Sequence, residues 1–122
     1  MFLAFHLYQA LFEKGRVDGA LYLCGYAVEI ALKVRVVKTL KWMGFPSNNK
    51  EFSGLQSFKS HDLNTLLYLC GWNAKIRMKY GLEWGTASKW DPEVRYRPPG
   101  TVSQLDANMM IASCQKIVGA LL

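Results

Sequence analysis

Between Val17 and Trp42 two apolar stripes run side by side at helical spacing, and they limit the fold of this chain more than any other feature. Val17, Ala20, Leu21, Cys24, Ala27, Val28 and Ala31 recur at i, i+3, i+4, i+7 and form the first. Leu23, Ile30, Val34 and Val37 form the second. A helix apolar over more than half its circumference lies centrally in a bundle or is shared with another subunit. Such a helix spans roughly 39 Å at 1.5 Å per residue, while a globule of 122 residues has a radius of gyration of only about 14 Å. The pattern therefore predicts an elongated domain with apolar surface left over, and a symmetric homodimer that buries part of it.

The rest of the chain is also helical in period, with no convincing alternation of period two. Phe2 to Glu13 reads as a helix ended by Lys14-Gly15. Residues 43–59 carry Gly-Phe-Pro, Ser-Asn-Asn and Ser-Gly, which is turn chemistry. A further helix is expected from Ser60, its N-cap, with Asp62 in the first turn. Its buried face is Leu63, Leu66, Leu67, Cys70 and Ala74, its basic end Lys75, Arg77 and Lys79, and its stop Gly81. Residues 81–101, with Trp84, Trp90 and three prolines, read as irregular. The last helix opens at Thr101 with Gln104 three residues on, a capping-box pattern. Its apolar residues are Leu105, Met109 and Ala112 alongside Ala107, Met110, Ile111, Cys114, Ile117, Val118 and Leu121. The expected fold is all-α: one domain over residues 1–122, an antiparallel up-and-down bundle of four main helices.

Composition removes several function classes. With 51% hydrophobic and 20% charged residues the chain is too apolar to be disordered. No uncharged run approaches the roughly 20 apolar residues of a membrane helix, so no membrane partner is expected. The N-terminus has neither a basic region nor a small-residue cleavage site, unlike a signal peptide. Cys24, Cys70 and Cys114 are odd in number and widely spaced, and point to a reducing cytoplasm. With only His6 and His61 beside them no metal site is expected. Walker glycines and GxGxxG are absent from the sequence, and no cofactor is expected.

Fifteen Lys and Arg against nine Asp and Glu give a net charge of +6, which permits a polyanionic partner. Lys33, Arg35, Lys38 and Lys41 cluster near the end of the long helix, where cations complement the dipole or meet phosphate. Lys89, Trp90, Arg95, Tyr96 and Arg97 interleave bases with aromatics, the composition of a nucleotide or single-strand site. The alternative there is a loop pinned to the bundle by its rings. Glu29 lies between the two stripes and needs a partner if buried. Lys33 at i+4 is one, and Arg95 or His61 would be tertiary ones.

Three blocks share a resemblance. Gly15 to Lys33, GRVDGALYLCGYAVEIALK, resembles the opening of the second helix of HEPN domains. His61-Asp62-Leu63 with Leu66 and Leu67 resembles that family's His-Asp-Leu helix start. Trp90-Asp91-Pro92-Glu93-Val94-Arg95-Tyr96 resembles the Trp-x-Pro-Glu-x-Arg-Tyr element before its last helix. The resemblance implies a helical bundle, commonly dimeric. It also implies either a metal-independent ribonuclease using Arg-x(4–6)-His, or a non-catalytic nucleotide- or RNA-binding module, in some cases beside a minimal nucleotidyltransferase. None of Arg16, Arg35, Arg77, Arg95 and Arg97 is followed by a histidine at that spacing, and no catalytic residue is assigned. The candidate ligand-binding residues are Glu29, Lys33, His61, Trp90, Arg95, Tyr96 and Arg97. A ribonuclease with an atypical site built from Arg95, His61 and Glu29, and a purely structural interaction module, are the alternatives.

Overall fold

A computed structural model describes residues 17–46, 48, 62–90 and 103–122. Those residues form five helices and no strand: α1 (Val17–Leu40), α2 (Leu63–Leu69), α3 (Asn73–Lys79), α4 (Gly81–Ala87) and α5 (Gln104–Leu121). The chain is all-α in these parts. The first stripe is the core face of α1, where Ala20, Leu21, Cys24, Ala27, Val28 and Ala31 are buried and are joined by Leu32 and Val36. Against it pack Leu63, Leu66 and Leu67 of α2, Trp84 of α4, and Ile111, Cys114, Ile117 and Leu121 of α5.

The two long helices run parallel. The Cys24 thiol lies 3.9 Å from the Ile111 carbonyl oxygen, and farther along both helices Arg35 reaches the Leu121 carbonyl. Between them residues 72–90 return along α1, from Trp72 against Arg35 to Trp90 against Tyr22. Arg35 joins the ends of α1 and α5 by donating from Nε and Nη2 to Leu121 O, at 3.1 and 2.8 Å, which satisfies a terminal carbonyl that has no helical partner.

Several boundaries differ from those the sequence predicts. The single helix expected from Ser60 to Gly81 is two short ones, α2 and α3, and α4 follows in the stretch expected to be irregular. The expected helix breaks at Gly71, whose φ of +82° is left-handed and closed to most side chains. Gly81 opens α4 instead of stopping a helix, and Trp84 is core instead of loop. Ala74 is exposed. Asp62 is itself the cap of α2, its Oδ1 accepting from the Asn64 N–H at 3.0 Å; Ser60 lies outside the described residues. On α5 the cap is Ser103, whose Oγ accepts from the Asp106 N–H at 3.1 Å; Thr101 too lies outside the described residues. Leu105, Met109 and Ala112 face away from the core, so the buried stripe of α5 is narrower than the sequence indicates. Among the described residues five helices stand where the sequence predicts three of its four main ones, and the first expected helix falls outside the described residues.

Candidate functional site

Trp90 and Gly25 meet face to face. A Cβ on Gly25 would overlap Cγ, Cδ1 and Cδ2 of Trp90, so only a residue without a side chain lets the indole lie on α1. Tyr22, one turn earlier, tilts against the same ring at 6.3 Å between centroids and stacks on Tyr26 at 6.2 Å. Trp90 is 8% exposed, and its Nε1 is buried without an acceptor among the described residues. The ring is therefore an anchor and not the open stacking platform that the sequence pattern permits. A buried N–H without an acceptor costs free energy, which a water or another group offering an acceptor would relieve.

One turn beyond Gly25 on the same face lies Glu29, only 2% exposed, whose Oε2 accepts from Lys33 Nζ at 3.2 Å. Lys33 also lies over the Phe45 ring, 5.2 Å from its centroid. The pairing expected from the i+4 spacing is therefore present. Beside it the second stripe forms a shallow groove of about 350 Å³ between Ile30, Val34, Val37 and Phe45, with Lys33 and Lys38 at its rim.

The cations of α1 divide by role. Arg35 is structural, held on Leu121 O and stacked on Trp72 at 4.0 Å. Lys33 is paired, while Lys38 and Lys41 are exposed. On α3, Lys75 lies 4.0 Å from the centroid of the same Trp72 ring. Arg77 donates to Asn73 Oδ1 at 2.7 Å and to Asn64 Oδ1 at 2.8 Å. The buried Trp84 indole shares that Asn64 oxygen at 3.0 Å.

The three thiols are free and buried. A hydrogen bond with Cys114, reinforced by burial, holds the Cys24 thiol far above its ordinary value. Burial pushes Cys70 up against the opposing pull of the Trp72 N–H and Arg35. Neither is a nucleophile at neutral pH. Among the described residues no cluster of His, Cys, Asp and Glu could hold a metal ion, and no helix is long and apolar enough to cross a membrane.

Of the sequence-derived candidates, the structure brings Glu29, Lys33 and Trp90 onto one face of α1. His61, Arg95, Tyr96 and Arg97 lie outside the described residues, as does the expected contact of Arg95 with Glu29. Two residues escaped the sequence reading. Gly25, a glycine in mid-helix, signals close approach by another group, and Trp72, three residues before Lys75, is the ring that holds two cations. No protein-family model matches the chain, and neither a curated protein nor a solved structure matches it.

Proposed function

We propose that this chain is a non-catalytic, HEPN-like helical module that binds a nucleotide or RNA, acts as a homodimer, and works beside a nucleotidyltransferase-type protein. The contact between Gly25 and Trp90 carries the reading. It joins the Gly-Tyr-Ala-Val-Glu segment to the start of the Trp-Asp-Pro-Glu-Val-Arg-Tyr segment, two of the three blocks on which the resemblance rests. Among the described residues the buried Trp90 N–H has no acceptor. The opposing ribonuclease reading builds its site from Arg95, His61 and Glu29, and the Glu29 carboxylate is buried and bonded to Lys33.

The test is calorimetric titration with ATP and with a short RNA, for the parent chain and for Trp90→Ala, with circular dichroism to confirm that the variant is folded. Saturable binding by the parent that weakens at least tenfold in the variant supports the reading. Absence of binding to both ligands contradicts it, and RNA cleavage in EDTA would favour the ribonuclease. A small nucleotidyltransferase that copurifies with the chain would support the partner assignment.

A further inference from the structure

Around Trp72 lies a second basic surface, distinct from the face that carries Trp90. The ring holds Arg35 Cζ and Lys75 Nζ, each 4.0 Å from its centroid. Two like charges on one ring repel unless the π-face or a counter-ion compensates. Lys38 follows Arg35 at i+3, and Lys79 follows Lys75 at i+4, so each extends the charge along its own helix. Lys38, Lys75 and Lys79 are all exposed.

The two helices meet here for a local reason. Thr39 Oγ1 donates to the Cys70 carbonyl at 2.9 Å, fastening the turn at Gly71 to the last turn of α1. The start of α3, and with it Lys75, is therefore held beside the last turns of α1 by backbone geometry.

We propose that this surface binds the phosphodiester backbone of single-stranded RNA. The inference rests on the nucleotide- or RNA-binding reading and assigns part of the binding to a different face. Trp72, with cations already on its ring, spaces positive charge and does not stack a base. Recognition at this surface is then of phosphate alone, indifferent to base identity and steeply dependent on salt.

The experiment is fluorescence anisotropy with labelled oligo-U and oligo-A RNA, for the parent, Lys75→Glu/Lys79→Glu, and Trp90→Ala. All three are monitored by circular dichroism; both substituted lysines are exposed, so that variant retains its fold. The proposal predicts at least tenfold weaker binding by the lysine variant for both oligomers, and a log–log salt slope smaller by about 1.4, from two lost contacts to a single strand. Unchanged affinity in the lysine variant with loss in Trp90→Ala overturns this proposal and leaves the Trp90 reading standing. No binding by the parent overturns both. A preference for one oligomer that survives the lysine substitutions places recognition elsewhere and also overturns it.

Discussion

Gly25 is the residue on which the architecture around Trp90 turns. Any side chain there collides with the indole, so Gly25→Ala must displace the ring or bend α1. An overpacked core contact of this kind costs about 1–3 kcal/mol. The expected result is a lower urea midpoint together with red-shifted tryptophan emission as Trp90 becomes hydrated. An unshifted spectrum at the parent midpoint would show that the ring is not seated on Gly25. Asn64 makes a second single-residue prediction. Its Oδ1 accepts from both Trp84 Nε1 and Arg77 Nη2, so Asn64→Ala leaves a buried indole N–H without that acceptor. Destabilisation of about 1–3 kcal/mol is expected by chemical denaturation, with Arg77→Ala milder because Arg77 is exposed.

At the scale of elements, the end of α1 shows how local chemistry is balanced. The Trp42 N–H bonds to Val37 O at 3.0 Å, and Lys41 takes a left-handed φ of 57°, which is a helix stop usually made with glycine. Lys41→Gly should therefore raise stability, by about 1 kcal/mol, and an unchanged or lower midpoint would contradict that. The Cys24 thiol, between α1 and α5, gives a pH dependence of definite sign. The hydrogen bond with Cys114, with burial, holds the Cys24 thiol above its ordinary value of 9.0 in the folded state, so its contribution is intact below that value. At higher pH the unfolded chain releases the proton that the folded chain retains, and stability falls as pH rises. Cys24→Ala should remove that part of the slope between pH 9 and 10, read as the difference in unfolding free energy from the parent.

The periodicity of α1 and α5 was plain in the sequence because each helix is long enough for a stripe to repeat. The segment from Leu63 to Ala87 was less legible for a physical reason. Leu63, Leu66, Leu67 and Cys70 continue one helical stripe up to a turn whose defining feature, the backbone of Gly71, leaves little trace in a hydrophobic pattern. The helices after it have seven residues each, too few for periodicity to stand out. Their order depends instead on Trp84 and its bond to Asn64, a contact across 20 positions. The same holds for the site: the Glu29–Lys33 pair was readable from i+4 spacing, but the seating of Trp90 on Gly25 and the holding of Trp72 between α1 and α3 are tertiary facts.

For the whole molecule, the second stripe of α1 remains the open surface. Ile30, Val34 and Val37 are half-buried and line the groove under Phe45, apolar area that the homodimer reading assigns to a second copy. Sedimentation at micromolar concentration should then give twice the 13.9 kDa chain mass, and Val37→Asp should shift the species toward monomer. A single 13.9 kDa species for the parent would remove the dimer from the account. That the net positive charge of +6 holds nucleic-acid phosphate is a proposal. It is tested most directly by titrating the unmodified chain with a short single-stranded RNA while salt is raised from about 50 to 200 mM. Three to four phosphate contacts predict saturable binding that weakens about tenfold or more over that range. No binding at the lowest salt, or an affinity that salt leaves unchanged, would contradict it.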